Sequence, residues 1–495
     1  MCIVGLNLLL TACSLTAAAD PTNRFKDPAP PVVTPLPAEY SLPAAASDGA
    51  VTIHRSPRPL APDAIVQDWP NLLGPQQSLV CNEQPLRTSW LEPGAQQALW
   101  EAQTGVGFSA PVVLGDRVLI YRRLDDEAVL ECRRSDDGAR YWRTAHPTTY
   151  VDRFRYNGGP RSTPVVSDGR VVTYSPLGRL RCHDLATGHL FWERDIGSSF
   201  DVPEAYFGLT TSPVVVDGLV YLNIGGRTGP EMAAFDLATG ALHWATGDSW
   251  GASYATPLAV TVHQRPLLIC FLGGAVTSQE RPFPGGLLVL DRRNGVELLR
   301  HPWRSKQPAS VNASSPVLEG EQILVSSLYG PGALAVTLDD ELSAHTAYTT
   351  TKYSSHWMTP VVYDGILYGF ADNNLVAMRW RDGTQLWHAK PKIPVALIAG
   401  PHDADAKAQQ FGKASLLRTD TGFLCLGEDG LVAWLDLDAE GWRVTSAARL
   451  FSAKQTYTPP VISHGLLFVM QNSVDRTSGA GPRLLCYDLR GRDNE

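Results

Sequence analysis

Residues 212–244 read SPVVVDGLVYLNIGGRTGPEMAAFDLATGALHW, and this stretch decides the fold. It places Ser212-Pro213 before a short apolar run, then an Asp217-Gly218 turn, a second apolar run, and Asp236-Leu-Ala-Thr-Gly240 before Trp244. Asp-Gly between two β-rich runs is a strong hairpin signal, because both turn positions need φ > 0. The stretch therefore predicts four short antiparallel strands joined by tight turns.

The first half of this pattern, a proline followed by a short apolar run and a turn, recurs along the chain. Six copies are Ala110-Pro111 through Gly115-Asp116, Thr163-Pro164 through Asp168-Gly169, Ser212-Pro213 through Asp217-Gly218, Ser315-Pro316 through Glu319-Gly320, Thr359-Pro360 through Asp364-Gly365, and Pro459-Pro460 through His464-Gly465. A period in the 40s to 50s of residues indicates an array of small sheets rather than one globular α/β core.

The second half, a turn followed by a tryptophan, also returns. The tryptophans of this pattern are Trp142, Trp192, Trp244 and Trp387, whereas the copy at Asp291–Gly295 carries Leu299 instead. Four strands in about 50 residues are typical of a β-propeller blade. A tryptophan on the outer strand can fill the wedge between blades while its N–H finds a polar partner. We therefore interpret these residues as structural.

The number of blades follows from the proline anchors at residues 111, 164, 213, 257, 316, 360 and 460. A degenerate copy without its proline fits residues 413–437, which makes eight blades. Trp100 has the outer-strand pattern but no blade of its own, and the last blade lacks an outer strand. We predict an all-β, eight-bladed β-propeller of four-stranded antiparallel blades, closed by an N-terminal strand that contains Trp100 and removes exposed sheet edges.

This ordered array resembles the PQQ-like repeat of the quinoprotein alcohol dehydrogenase-like β-propeller family, and within it the BamB-like non-enzymatic branch. The resemblance covers residues 97–490, and Asp68-Trp-Pro-Asn-Leu-Leu-Gly-Pro75 resembles the opening of secreted bacterial members. It implies an exported, non-catalytic protein-interaction scaffold or ligand-binding module of the cell envelope. Its partner would be an envelope protein or a glycan.

The same family contains PQQ-dependent dehydrogenases, so the alternative is a quinoprotein oxidoreductase acting on alcohols or sugars. Resemblance to those enzymes would imply adjacent cysteines over the quinone, a calcium site and a catalytic aspartate. No two cysteines are adjacent here, and no carboxylates stand in a recognisable motif. We predict no catalytic residue, metal ligand or cofactor, with PQQ and calcium reserved for the alternative. A carbohydrate-binding or carbohydrate-processing propeller is a third hypothesis.

The N-terminal region divides into residues 1–19, a signal or lipoprotein-signal segment, and residues 20–67, a proline-rich flexible tether; the propeller spans 68–495. Leu10-Thr-Ala-Cys13 resembles a lipobox, so Cys13 is the candidate for lipidation and membrane contact. Cleavage after Ala17-Ala-Ala19 is the alternative, and no Lys or Arg precedes the apolar run as a signal normally requires. These features predict a periplasmic or membrane-anchored location in a bacterial envelope.

Charge excludes one class of partner. The formal net charge is -8, and no basic stripe is present, so nucleic-acid binding is not expected.

The candidate ligand or partner site lies just before the proline anchors, where the chain enters the inner strands and the loops crowd one mouth of the channel. Tyr, Trp and Arg dominate interface hot spots. The candidates are Tyr156, Arg161, Tyr206, Phe207, Trp250, Tyr254, His356, Trp357, Phe411, Lys413, Lys454 and Tyr457. Either these side chains form a mouth for a sugar, a peptide strand or a partner's loop, or they simply plug the funnel and pack between the blades.

Overall fold

Nearly all regular structure among the described residues is β-strand. The computed structural model describes residues 25–35, 37, 41–91, 97–203, 205–226, 229–274, 284–307, 310–399 and 408–493. The α-helix α1 (Ile196–Ser199) is capped by Asp195, and 3₁₀ turns cover Ser89–Leu91 and Val395–Leu397. No helix in these ranges is long and apolar enough to cross a bilayer.

Three strands precede the first complete blade: β1 (Val32–Val33), β2 (Val51–Ile53) and β3 (Trp100–Gln103). The strands of blades 1 to 4 follow in chain order, four to a blade: β4 (Val112–Leu114), β5 (Arg117–Leu124), β6 (Glu127–Arg134), β7 (Arg140–Pro147), β8 (Val165–Ser167), β9 (Arg170–Tyr174), β10 (Arg179–Asp184), β11 (Leu190–Asp195), β12 (Val214–Val216), β13 (Leu219–Asn223), β14 (Met232–Asp236), β15 (Leu242–Thr246), β16 (Leu258–Val262), β17 (Arg265–Leu272), β18 (Gly286–Asp291) and β19 (Glu297–Pro302).

Blades 5 and 6 contain β20 (Val317–Glu319), β21 (Gln322–Ser327), β22 (Gly332–Leu338), β23 (Ala344–Thr350), β24 (Val361–Tyr363), β25 (Ile366–Ala371), β26 (Asn374–Arg379) and β27 (Gln385–Ala389). An insertion contributes β28 (Lys392–Pro394), β29 (Ile398–Ala399) and β30 (Ala408–Gln410). Blades 7 and 8 contain β31 (Ala414–Thr419), β32 (Gly422–Gly427), β33 (Leu431–Leu437), β34 (Trp442–Arg449), β35 (Val461–Ser463), β36 (Leu466–Gln471) and β37 (Arg483–Asp488).

Every blade is an antiparallel sheet that runs from an inner strand at the channel to an outer strand at the rim. Blade 8 is composite, because β3 pairs with β37 in the register Trp100 opposite Cys486. The prediction of eight blades closed by an N-terminal strand is confirmed. We call the face where the chain enters the inner strands the top face, and the face of the first hairpin turns the bottom face.

The hairpin turns have the conformation that their sequence predicts. Asp217 and Gly218 have φ of 53° and 72°, and Asp364 and Gly365 have 49° and 70°. Two consecutive positive φ values match the right-handed twist of the flanking strands. This explains why Asp-Gly recurs at the bottom face.

Five blades are joined to the next one by a tryptophan on the outer strand. Each indole N–H donates to a backbone carbonyl in the third-strand turn of the following blade: Trp100 to Ser135 (2.8 Å), Trp142 to Leu185 (3.0 Å), Trp192 to Leu237 (2.9 Å), Trp244 to Arg292 (3.1 Å) and Trp387 to Asp438 (2.9 Å). A β-bulge precedes this position in blades 1 to 7; in blade 2, for example, Cys182 opposes Trp192 but His183 opposes Leu190. Because a bulge bends and twists its strand, it re-aims the following side chain.

Three blades replace the tryptophan with another residue at the same register. Leu299 opposes Val289 in blade 4, Tyr348 opposes Ala335 in blade 5, and Ser446 opposes Trp434 in blade 7. The Leu299 substitution is the one that the sequence predicts. Tyr348 still fills the wedge, since its ring lies against Gly383 of blade 6.

Hydroxyl groups before the prolines link neighbouring inner strands. The Ser or Thr hydroxyl of one blade accepts a hydrogen bond from the backbone N–H at the same position of the preceding blade: Thr163 from Ala110 (3.0 Å), Ser212 from Thr163 (2.9 Å), Ser315 from Thr256 (3.2 Å) and Thr359 from Ser315 (3.2 Å). The side chain thereby satisfies a buried donor that no strand partner reaches. This gives the Ser/Thr-Pro repeat a structural cause.

Replacing Thr359 with valine tests this link, because valine keeps the shape and removes the acceptor for the Ser315 N–H. We expect the free energy of unfolding to fall by about 1–3 kcal/mol, the cost of an unsatisfied buried donor. Urea denaturation measures it. Thr346→Val on the exposed outer strand β23 is the control, and an equal effect in both variants would contradict the role of the hydroxyl.

The N-terminal segment lies along the outer edges of three blades. β1 pairs with β11 of blade 2, Ala46 bridges to Arg140 of blade 1, and β2 pairs with β3 of blade 8. Asp48 also pairs with Arg133 (2.9 Å). Within residues 25–35 and 41–67 the chain therefore contacts the propeller rather than extending away as a tether. Its extended conformation suits strand edges whose backbone groups would otherwise face water. The domain boundaries themselves stay a prediction.

Other N-terminal predictions fall outside the described residues. Residues 1–24 are not among them, so Cys13 and the signal segment 1–19 have no structural account. The six cysteines of the described ranges are buried and free.

A candidate ligand cup above a channel plug

Residues 67–83, which we call the plug, cross the central channel from the bottom face. Trp69 exchanges backbone hydrogen bonds with Val113 of β4 (2.8 and 2.9 Å), and the Pro70 carbonyl accepts from the Val166 N–H of β8 (2.9 Å). Both are inner strands, whose channel-side edges have no strand partner in their own blade. The plug supplies hydrogen-bond partners along those edges.

The far side of the plug contacts blades 4 and 7. The Gln77 amide both donates to the Ala259 carbonyl and accepts from its N–H (3.1 and 3.2 Å). The Leu79 carbonyl accepts from the Arg418 N–H (3.0 Å), and the Cys81 N–H donates to the Arg418 carbonyl (2.7 Å). The plug is thus attached on opposite sides of the ring.

A buried carboxylate fastens the end of the plug to blade 8. Glu83 accepts hydrogen bonds from the backbone N–H groups of Gln67 (2.8 Å), His464 (2.5 Å) and Gly465 (2.7 Å). Burial raises the pKa of Glu83, and the three N–H groups act in the opposite direction. Gly74 completes the fold-back: its φ is +79°, and a Cβ there would lie 2.8 Å from the Trp69 ring. These contacts explain the Trp-Pro-x-x-x-Gly-Pro motif.

Above the plug is a cavity of about 300 Å³, which we call the cup. Its floor is Leu72, Leu73 and Leu79 of the plug. Its wall follows a simple rule: the residue three positions before each proline anchor lines it in all seven anchored blades, namely Phe108, Arg161, Thr210, Tyr254, Ala313, Trp357 and Tyr457. Because these positions enter the inner strands at equivalent points of the ring, they converge on its axis.

An arginine is held between aromatic rings in the wall. The Arg161 guanidinium lies 4.9 Å from the Phe108 ring centroid and 5.1 Å from that of Phe207. Its Nη2 pairs with the buried Asp152 carboxylate at 2.5 Å. Cation–π contact and a buried ion pair together fix this side chain.

The opposite wall carries His356 and Lys413. Burial, and then the nearby Lys413 ammonium, lower the pKa of His356 and favour its neutral form. Within the described structure, His356 Nδ1 and the hydroxyl of the buried Thr458 have no hydrogen-bond partner. Burial raises the pKa of Tyr457 to about 12, so its phenol stays protonated at neutral pH.

A second cavity of about 650 Å³, which we call the side groove, adjoins the cup. Tyr156 and Tyr457 line both cavities. The groove is bordered by Lys390, Lys454 and Arg476. Cup and groove therefore meet across a pair of tyrosine side chains at the top face.

The structure brings most of the predicted mouth residues together. Those lining the cup are Tyr156, Arg161, Phe207, Tyr254, His356, Trp357, Lys413 and Tyr457, and the groove adds Phe411 and Lys454. Tyr206 is buried behind the wall, 5.3 Å from the Phe154 ring. Trp250 lies outside the cup, in the apolar cluster between blades 3 and 4. Its backbone N–H and that of Ser249 donate hydrogen bonds to Glu231, and its ring lies against the Arg300 guanidinium.

Several cup and groove residues were not predicted. Phe108 was available from the sequence, since it stands three positions before Pro111 as Trp357 does before Pro360. The plug leucines and the groove residues Lys390 and Arg476 follow no repeat position. Their convergence depends on the closed ring.

The donor set of the cup does not fit a calcium-held quinone. Ca²⁺ takes six to eight oxygen ligands, carboxylates foremost among them. The described residues that line the cup include no Asp or Glu. The acids next to the cup are paired with its cations: Asp152 pairs with Arg161, and Asp372 lies 4.0 Å from the Lys413 ammonium.

Among the described residues, one partly exposed group of possible metal ligands lies outside the channel. His263 pairs with Glu321 (3.3 Å) and Asp340 (3.0 Å) on the bottom face. These ion pairs account for the grouping, and we assign no metal to it.

Comparison with known proteins identifies the family. A family model described as outer membrane protein assembly factor BamB matches residues 125–389, more than half of the 495-residue chain. The chain belongs to the BamB family. The PQQ-like resemblance read from the Ser/Thr-Pro and tryptophan repeats is thereby confirmed.

The individual proteins that resemble this chain are distant from it. BamB from Yersinia pestis is 28% identical over 152 residues, which are 30% of this chain and only 36% of that relative. The structure of BamB from Moraxella catarrhalis superposes with a TM-score of 0.51 at 14% identity, covering 79% of this chain and 97% of that one. Quinohemoprotein alcohol dehydrogenase from Comamonas testosteroni gives 0.58 at 14% identity, covering 86% and 81%. At such identities the superpositions show a shared fold and no more.

Proposed function

We propose that this chain is an exported, non-catalytic binding module of the cell envelope whose ligand or protein partner binds at the cup. The observation that carries the proposal is the cup itself, a closed-bottomed aromatic cavity built on the rigid starts of the inner strands. Aromatic and arginine side chains fixed in this way lose little conformational freedom on binding, which favours affinity. The chain belongs to a family described as an outer membrane protein assembly factor, which supports a location in the cell envelope.

The proposal includes a membrane anchor at Cys13, which resembles the lipid-bearing residue of a lipobox. Stable anchoring would need several acyl chains, because one chain binds membranes only marginally. The full chain is expected in the membrane fraction of the producing bacterium and released by detergent. Recovery from the cytoplasmic fraction would contradict this part of the proposal.

The binding role is tested by replacing two wall residues, Trp357 and Tyr254, with alanine. Chemical cross-linking in envelope extracts should recover a defined partner with the unaltered chain, and the double variant should recover at least about tenfold less, as expected when hot-spot residues are truncated. Tyr363→Ala, at an exposed aromatic on the bottom face, is the control. Undiminished recovery with intact folding would overturn the assignment of the cup.

Catalysis is tested on the same preparation by calorimetric titration with PQQ and Ca²⁺, followed by dye reduction with alcohols and sugars. We expect neither binding nor turnover, because the lining of the cup offers no carboxylate ligands. Calcium-dependent binding with turnover would make the chain a quinoprotein oxidoreductase.

A further inference from the structure

We propose that the cup and the side groove form one elongated site for an extended acidic segment of a partner protein. An apolar or aromatic side chain of that segment occupies the cup, and carboxylates that follow it lie along the groove. This inference rests on the proposed binding function and specifies the chemistry of its partner.

The shape of the two cavities suits such a segment. The cup, at about 300 Å³, has an apolar floor of leucines and an aromatic wall, the surroundings that an anchor side chain requires. The side groove, at about 650 Å³, is larger and has a mixed polar lining. Because Tyr156 and Tyr457 border both, one chain can pass from cup to groove without leaving the surface.

The charge of the groove selects an acidic occupant. Lys390, Lys454 and Arg476 are exposed, and within the described ranges none of them forms an ion pair. Two of the described residues that line the groove are acidic: Asp429 pairs with Arg449 at 3.1 Å, and Glu428 has no ion pair within the described ranges. The described lining therefore carries more positive than negative charge. Cationic side chains without an ion-pair partner among the described residues can form charge-assisted hydrogen bonds with an incoming carboxylate.

The rim and the wall add further positive charge. Arg153 and Arg155 stand exposed on the loop that carries Tyr156, and neither has an ion-pair partner in the described part of the chain. Arg122 lies behind the wall: it is fully buried without a hydrogen-bond partner, and a Cβ on Gly107 would lie 3.2 Å from its Nη1. A basic mouth on a chain of formal net charge -8 focuses an attractive potential on acidic ligands.

Hydrogen-bonding groups for the backbone of the segment are also present. The buried Thr458 hydroxyl and His356 Nδ1 belong to residues that line the cup and have no partner among the described residues. Buried polar atoms are normally paired. Both atoms are closed off from solvent in the free chain, so they would pair with the peptide backbone only after a local side-chain rotation.

The test measures fluorescence anisotropy of labelled peptides on the full chain. Each peptide carries one phenylalanine, a spacer of none to three glycines, and four glutamates; matched peptides carry four lysines or replace phenylalanine with alanine. We expect the acidic phenylalanine peptides to bind at least about tenfold more tightly than either counterpart at low salt, and to weaken as salt is raised.

Charge reversal gives a readout that a structural role would not move. The triple variant Lys390→Glu, Lys454→Glu, Arg476→Glu should lose acidic-peptide binding by about tenfold or more and come to prefer the lysine peptides. Arg265→Glu, at an exposed position on the bottom face, is the control and should leave binding unchanged. Unaltered folding of all variants is checked by thermal melts.

Three results would overturn the proposal. The first is equal binding of acidic and basic peptides by the unaltered chain. The second is acidic binding that survives charge reversal. The third is competition by N-acetylphenylalanine amide as effective as that of the peptides, which would make the cup a small-molecule site. If recovery of envelope partners still depends on Trp357 and Tyr254 while the peptides fail to bind, the acidic-segment proposal falls and the binding function stands.

Discussion

A chain that begins at residue 104 is expected to lose the cooperative unfolding of the complete propeller, whereas a chain that begins at residue 64 keeps it. The longer deletion removes β3, the outer strand of blade 8, together with the plug. It exposes the edge of β37 and opens the ring, and an unpaired edge is a site for aggregation. The shorter deletion removes only the segment along the outer edges.

Thermal melts of the two truncated chains against the full chain measure this difference. Equal melting temperatures for both truncations would contradict the ring-closing role of β3. Because the longer deletion also removes the plug, Trp100→Ala in the full chain separates the two contributions. Trp100 is fully buried, and its truncation should lower the free energy of unfolding by about 3–5 kcal/mol. Trp442→Ala, at a partly exposed residue of blade 7, should cost less.

Gly188→Ala is expected to destabilise the propeller far more than the chemically identical change Gly169→Ala. Both glycines have positive φ, 76° and 69°, so both substitutions carry a similar conformational cost of about 1–2 kcal/mol. A Cβ on Gly188 would lie 2.4 Å from Cε3 of Trp142, whereas one on Gly169 would meet nothing within 4 Å. The Gly188 variant should therefore lose about 1–3 kcal/mol more through overpacking.

Urea denaturation of both variants gives the difference directly. If the wedge between blades 1 and 2 is responsible, Trp142→Leu should relieve part of the penalty in the double variant, as a double-mutant cycle would show. Equal losses at Gly188 and Gly169 would mean that the contact of glycine with tryptophan contributes nothing to packing between blades.

Most of the fold could be predicted because its information is local. An Asp217-Gly218 hairpin or an Asp184–Gly188 turn is defined by a few neighbouring residues whose φ preferences do not depend on distant contacts. Repetition of these turns then sets the number of blades. Leu299, Tyr348 and Ser446 show the limit of the pattern, since packing in the wedge accepts more than tryptophan.

The candidate site could be predicted in part, because seven wall residues share one repeat position. Thr210 and Ala313 illustrate how this rule reaches positions that aromatic content alone does not single out. Trp250 illustrates the opposite: its aromatic character suggested the mouth, but hydrogen bonds to Glu231 hold it between blades. Whether the cup binds a partner is a matter for the experiments above.

The sequence by itself determined the strands, the turns, the eight blades and the strand that closes them, because each rests on short-range preferences repeated with a fixed period. Only the tertiary structure decided that residues 67–83 close the channel, that the proline-rich segment follows the outer edges, and that Lys390, Lys454 and Arg476 border one groove. These segments carry no repeat. Their positions are set by unpaired strand edges and by the radius of the ring, which exist only after the blades have assembled.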